Sequence, residues 1–377
     1  MKSKSDLAAW ASESWKVPDV MATIGPTLEK ADDIHRAIEA GARWFRLPCG
    51  YRQRPHLENA RAVRTVAAQL GISVQLLLDL PSSRPRTGSM PELKLSVGQR
   101  VLFWDPEASE TAPAQETVAA VPLPGLLELL PKLQPQSRMW FCDGRLSFVV
   151  EELQSGAVLA RLGQGSIPLK SFNALFLPDS QSPFSVFTPA DRELLTAMAE
   201  AKLPPDWVAL SLIGSPADVR AGRKIVRSLL GPSVRVMAKF ETAAAVDSAA
   251  EIIDEADGIM VARGDLGLAV GYVRLPGIQE QLVAAARRAG KITVIATQVL
   301  EAFAETGLPQ RAELSDLSLV ARQRADAVML GKETVYSPRP IECIQLAREV
   351  MTYETRRFEN DSRAPAPNAV PAPPRGD

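Results

Sequence analysis

Histidine is nearly absent from this chain: it has two, His35 and His56, in 377 residues. A Ser–His–Asp triad or a histidine-rich metal centre has almost nothing to be built from, so chemistry would have to rest on Lys, Arg, Asp, Glu and Thr. Cysteine is scarce as well. Cys49, Cys142 and Cys343 lie far apart without a C-x-x-C pair, which excludes a disulfide framework or a thiolate zinc site and fits reduced thiols. Neither sign of charge is in excess, the formal net charge being -1. No broad basic surface for nucleic acid or an anionic membrane is therefore expected. No apolar run is long enough to span a membrane, and the opening "MKSKSDLAAWASESWK" lacks the apolar core of a signal peptide. The expected location is the cytoplasm.

What the chain does have is a rhythm. Eight short, nearly continuous apolar runs recur: "VMATIG" (20–25), "WFRLPC" (44–49), "VQLLLDL" (74–80), "WVALSLIG" (207–214), "VRVMAKFET" (234–242), "GIMVARG" (258–264), "ITVIATQ" (292–298) and "ADAVMLGKET" (325–334). Continuous apolar runs of this length suit parallel strands buried on both faces. Amphipathic stretches such as "TLEKADDIHRAIEAGA" separate most of them. Eight strands alternating with helices predict an α/β chain folded as a (β/α)8 TIM barrel.

One interval departs from the alternation. Between the third and fourth runs, "VGQRVLFWD", "SRMWFCDGRLSFVVEEL" and "AVLARLG" read as strands without helices between them, and Asp143-Gly144 is a good hairpin turn. The expected organisation is an N-terminal segment (1–19), a barrel (20–87 and 171–355) and a small all-β domain (88–170) inserted after the third strand. An insertion there stands over the C-terminal mouth of a barrel, where it can act as a lid. The Pro/Ala-rich end (361–377) is expected to be a disordered tail.

In a barrel of this kind the reactive side chains gather where the strands finish. The runs end on Arg46, Asp79, Ser211, Lys239 with Glu241, Asp265, Thr297 and Glu333. Each residue alone reads as well as an ion pair or a strand residue. Their common end of one barrel gives them weight as a set. Glu241 and Asp265 are two carboxylates with few other protein ligands nearby, a pattern that suits Mg²⁺ with water and substrate oxygens completing its shell. Lys239 lies two residues before Glu241, so strand alternation points both inward, where a cation can neutralise a phosphoryl group or an enolate.

The blocks "TIGP", "LLLDL", "RPRTG", "AKFET", "DGIMVARGDLG", "RAGKITVIATQVLE", "RAELSD" and "AVMLGKET" resemble, in order, those of the pyruvate kinase family over roughly 20–352. The resemblance implies a Mg²⁺ (or Mn²⁺) enzyme of glycolysis, moving a phosphoryl group between phosphoenolpyruvate and ADP/ATP through enolpyruvate. It implies Glu241 and Asp265 as metal ligands and Lys239 as the stabiliser of the transferring group and the enolate. It also implies Arg46 as a phosphate-binding residue and Thr297 beside the carbon that is protonated. The backbone of Ala262, Arg263, Gly264 and Asp265 would bind the substrate carboxylate, as N–H groups opening a helix do. Arg86 and Asp143 would lie on the nucleotide side. Since family tetramers rely partly on a C-terminal domain with no counterpart here, a homodimer or a monomer is expected.

The departures from the family pattern lie mostly on one side. Where the family has N-F-S-H-G this chain has "LPCGY", with Pro48 and Gly50 in place of two ligands for a monovalent cation. Asp79, the acidic member of that site, remains. Arg84 stands where potassium-dependent members carry glutamate, and a fixed guanidinium could replace K⁺ there. No K⁺ requirement is expected. The family's K-G-P reads "PSS", and Gly214 stands where an arginine is usual. Three readings stay open. The first is a pyruvate kinase. The second is a relative repurposed for enolate chemistry on phosphoenolpyruvate or another 2-oxo acid, as decarboxylase, lyase or kinase of a different acceptor. The third is a non-catalytic binding or regulatory protein.

Overall fold

The computed structural model describes residues 15–51, 55–109, 118–142, 144–178 and 184–363. Eight parallel strands close into a barrel: β1 (Asp19–Thr23), β2 (Ala42–Pro48), β3 (Gln75–Leu80), β9 (Trp207–Leu210), β10 (Arg235–Phe240), β11 (Gly258–Ala262), β12 (Ile292–Ala296) and β13 (Ala327–Leu330). Each of the eight apolar runs supplies one of them. All but the third, "VQLLLDL", overshoot at their C-terminal ends. In "GIMVARG" the strand stops at Ala262 and a helix begins at Arg263, because the next residues must turn out over the mouth.

Alternation along the strands divides the apolar residues into two sets. Inward-facing Met21, Trp44, Leu77, Trp207, Met237, Met260, Val294 and Met329 fill the barrel. Their neighbours in sequence, such as Val236 and Ala238, pack outward in the larger core beneath the helices. That outer layer includes α1 (Ala31–Glu39), α2 (His56–Leu70), α3 (Pro189–Glu200), α4 (Pro216–Leu230), α5 (Ala243–Asp247), α6 (Ala249–Glu255), α7 (Arg263–Val270) and α8 (Leu275–Arg288). It continues with α9 (Glu301–Thr306), α10 (Arg311–Gln323), α11 (Lys332–Val335) and α12 (Pro340–Arg363). Capping boxes start three of them: Thr188 with Asp191 opens α3, Ser215 with Asp218 opens α4, and Gln310 with Glu313 opens α10. Among the described residues no helix is long and apolar enough to cross a membrane.

Between β3 and α3 lies a separate five-stranded sheet, made of β4 (Arg100–Trp104), β5 (Ala119–Pro122), β6 (Arg138–Phe141), β7 (Leu146–Gln154) and β8 (Ala157–Gln164). Its order is β5-β4-β8-β7-β6, all antiparallel except β4 with β5. The short β5, with a proline at its end, has no clear strand pattern in the sequence. Phe103, Phe141 and Phe148 form the centre of this domain's own core, with ring centroids 5.1 to 5.9 Å apart. Its two connections to the barrel run side by side as a neck. Leu175 N–H donates to Pro85 O at 2.9 Å, and Thr87 N–H donates to Asn173 O at 2.9 Å.

The tail expected from residue 361 begins too early. Helix α12 continues to Arg363, and Arg357 pairs with Glu354 and Asp361 one turn to either side, extending it past the predicted stop. Residues 364–377 and the hairpin residue Asp143 lie outside the described residues. None of the cysteines is in a disulfide; Cys49 and Cys343 are buried, and burial pushes the Cys343 thiol up to about 12.

Candidate active site

The mouth of the barrel is assembled from the last inward position on each strand. Two residues beyond Met21 comes Thr23; beyond Trp44, Arg46; beyond Leu77, Asp79; beyond Ala209, Ser211; beyond Met237, Lys239. On β11, β12 and β13 the corresponding residues are Ala262, Ala296 and Met329, none of them polar, and the two alanines leave room. The result is a cavity of about 250 Å³, polar on one wall and nearly bare on the other.

Lys239 organises the polar wall. Its Nζ donates to Asp79 Oδ1 at 3.0 Å, to Glu241 Oε1 at 2.9 Å and to Ser211 Oγ at 2.8 Å, which uses all three of its protons. Burial alone would lower its pKa. Asp79 and Glu241 outweigh burial and hold it above its ordinary value, so it stays a cation. Asp79 is shared: its Oδ2 accepts from Arg46 Nε at 2.7 Å. Burial opposes that carboxylate's charge, but Lys239 and Arg46 hold its pKa below the usual one. Arg46 also reaches Thr23 Oγ1 at 3.4 Å. Glu241 Oε2 accepts the Leu212 N–H at 2.7 Å. Glu241 titrates above its ordinary value because of burial first, with Asp265 and Asp79 adding repulsion against the pull of Lys239.

The bare wall is the start of α7. Gly264 N–H donates to Thr297 Oγ1 at 3.0 Å, tying the turn to the end of β12. Thr297 and Gln298 both have positive φ, 71° and 54°. They are held so by Arg263, whose guanidinium donates to both of their carbonyls and forks Asp316 at 2.7 Å. The Arg263 side chain is thus buried behind the turn and takes no part in lining the cavity. Asp265 points the other way, into the cavity, where Arg84 forks it: Nη1 to Oδ2 and Nη2 to Oδ1, both 2.8 Å.

The model of the pyruvate kinase barrel domain matches residues 15–344. The chain belongs to the pyruvate kinase family. It is 32% identical over 330 residues to a pyruvate kinase of Methylorubrum extorquens, covering 86% of this chain and 66% of that one. It is 30% identical over 361 residues to pyruvate kinase 2 of Synechocystis sp. (93% and 60%) and 31% identical over 337 residues to a pyruvate kinase of Thermococcus litoralis (88% and 68%). The matched stretch thus spans 60 to 68% of the length of these relatives.

Most of the residues proposed for a pyruvate-kinase site meet in this one cavity: Arg46, Asp79, Arg84, Arg86, Lys239, Glu241, Ala262, Gly264, Asp265 and Thr297 all line it. Arg263 does so only through its neighbours. Arg84 is not at Asp79, where a substitute for a monovalent cation would sit; Asp79 already carries Lys239 and Arg46. Arg86 donates to Phe172 O at 3.2 Å, and burial together with repulsion from Arg84 lowers its pKa. Glu333, the last of the strand-end acids, also lines the cavity. It is buried, accepting the N–H groups of Val299, Leu300 and Gly331, and so fixes the loops after β12 and β13. Thr23 and Tyr51 line the cavity without having stood out in the sequence. Alternation along "VMAT" would have found Thr23; Tyr51 sits in a loop that follows no pattern.

Divalent-metal dependence goes with the family, and the carboxylates of the mouth are the donors such an ion would use. Glu241 and Asp265 are of the right chemistry, and their mutual repulsion is what an ion would relieve. Their oxygens, however, are spoken for: Asp265 by Arg84 on both, Glu241 by Lys239 and Leu212. Among the described residues no group of three or more His, Cys, Asp or Glu is suited to hold a metal. As arranged, the pair does not fit a divalent ion until the guanidinium leaves.

Proposed function

We propose that this chain transfers a phosphoryl group between phosphoenolpyruvate and ADP, through enolpyruvate, the reaction for which its relatives are named. The observation that carries the reading is Lys239, held charged between Asp79 and Glu241 and facing the same cavity as Arg46. Two fixed cations facing one buried space suit a phosphoryl group and the enolate oxygen it leaves behind. To bind that oxygen Lys239 exchanges one of its three hydrogen bonds, and the bond to neutral Ser211 is the least costly to give up. Arg46 would keep the phosphoryl oxygens in line while the P–O bond to the enolate breaks and the bond to the acceptor forms.

The second half of the reaction needs a proton at the methylene carbon. Thr297 Oγ1 accepts from Gly264, so its own hydrogen is available to the cavity side. The first turn of α7 would take the substrate carboxylate, with the bareness of Gly264 allowing close approach. Among divalent ions Mg²⁺ suits a carboxylate pair best, and assays belong with and without it. Independence from K⁺ is supported by Asp79, whose oxygens already face two permanent cations.

The test is pyruvate formation from phosphoenolpyruvate and ADP, measured beside solvent exchange of the pyruvate methyl protons. Both activities support the kinase. Exchange without transfer would favour repurposed enolate chemistry, a reading supported by the altered "PSS" segment on the nucleotide side. If neither occurs, the non-catalytic reading stands.

A further inference from the structure

Arg84 reverses the charge that potassium-dependent relatives carry at its place, and the structure gives the reversed charge a specific target. Its guanidinium meets both oxygens of Asp265 at 2.8 Å, while Nε donates to Leu175 O at 2.6 Å and the group lies 5.8 Å from the centroid of the Phe176 ring. The side chain is 11% exposed. The group is thus engaged along one edge by the carboxylate, at Nε by a carbonyl of the neck, and on one flat side by an aromatic ring.

We propose that Arg84 is a resident cation at Asp265, standing where a divalent ion would bind and lowering the affinity of this site for such ions. A guanidinium does not lose its proton in a protein, so no ordinary pH frees the carboxylate. An incoming ion must break two charge-assisted hydrogen bonds and displace a largely buried group. Mg²⁺ in particular must give up tightly held water to do so. Because Leu175 lies on the return strand of the neck, the cation is held from the insertion as well as from the barrel. The inference concerns ion affinity and is independent of which acceptor the enzyme uses.

The experiment is stepwise addition of Mn²⁺ to the full chain, with free Mn²⁺ read from its electron paramagnetic resonance signal and no turnover involved. Arg84→Ala is expected to bind Mn²⁺ at least about tenfold tighter than the unaltered protein, with Arg84→Lys in between, since an ammonium cannot fork both oxygens. Adding Asp265→Asn to Arg84→Ala should remove the gain. The proposal is overturned if the unaltered protein binds as tightly as Arg84→Ala, if the gain survives Asp265→Asn, or if no Arg84 variant binds Mn²⁺. Should Arg84→Ala fail to fold by circular dichroism, Arg84→Lys alone decides: affinity equal to that of the unaltered protein overturns it.

Discussion

Asp79 and Lys239 stand on strands separated by β9, yet Oδ1 and Nζ approach to 3.0 Å across the inside of the barrel. The contact exists because both occupy the last inward position of their strands. Asp79 then takes Arg46 on its other oxygen, and Lys239 takes Glu241. Two cations and two anions so close to neutral overall can be buried together, where any one alone would be too costly.

Removing Lys239 should break both functions of this cluster. Lys239→Met is expected to lower pyruvate formation and methyl-proton exchange by at least about 10²- to 10³-fold, the usual loss of a group that stabilises developing negative charge. It also leaves Glu241 buried with only a backbone donor, at a stability cost on the order of 3 kcal/mol. Glu241 already titrates above its ordinary 4.5, and without the lysine it moves further up. A carboxyl with a raised folded pKa gives stability that is full below the unfolded value and is lost as pH rises through the folded one. Urea midpoints of Lys239→Met should therefore lie nearer the unaltered protein at pH 5 than at pH 8. Unchanged turnover would remove Lys239 from the mechanism.

Asp79 works in the opposite direction. Its folded pKa is held below its ordinary 3.8, so its contribution is complete above that value and is lost as pH falls through the lower folded one. Asp79→Asn should be less stable near neutrality, since two cations lose their shared partner. Its urea midpoint should also vary less with pH below about 4 than that of the unaltered protein. Parallel curves in that window would show that Asp79 is not the source of the acid slope.

The barrel was readable from the sequence because buried parallel strands leave long apolar runs, and all eight did so. The charged wall was readable for the same reason, since alternation places Arg46, Asp79 and Lys239 two residues beyond an inward apolar side chain. What alternation cannot reach is direction beyond the strand. Arg84 lies in the neck, where no period applies, and its partner Asp265 is 181 positions away. Arg263 and Asp265 lie two positions apart in the first turn of α7, roughly 200° around its axis, so one side chain packs behind the turn and the other points into the cavity. The β5 strand escaped notice because its four residues are too short to show a pattern.

Arg263 separates a structural from a substrate-binding role. Its contacts are with Asp316 and with the carbonyls of Thr297 and Gln298, two non-glycine residues at positive φ. A lysine cannot make these bonds together. Arg263→Lys should destabilise the protein by about 2 kcal/mol, less than a fully buried pair because Asp316 is partly exposed. With Thr297 no longer fixed, kcat should fall more than KM rises. Unchanged thermal stability with a large rise in KM for phosphoenolpyruvate would instead mean that the guanidinium touches the substrate.

The inserted domain meets the barrel again beyond its neck, and Gly144 marks the place. A Cβ at Gly144 would stand 2.5 Å from Leu268 Cδ2, on α7 three residues after Asp265, and Gly144 has φ +79°. Gly144→Ala therefore carries two separable penalties: about 1 kcal/mol for a left-handed conformation, and a clash that is relieved only by moving Leu268 or the domain. In the double variant with Leu268→Ala the clash disappears and the backbone strain remains. Chemical denaturation of the two single variants and the double should thus give a favourable coupling between the substitutions of about 1 kcal/mol. Additive losses would mean that the hairpin tip does not rest on α7 in solution. Because Asp265 shares that helix, Gly144→Ala should also weaken substrate binding, read as a rise in KM for phosphoenolpyruvate that Leu268→Ala partly reverses.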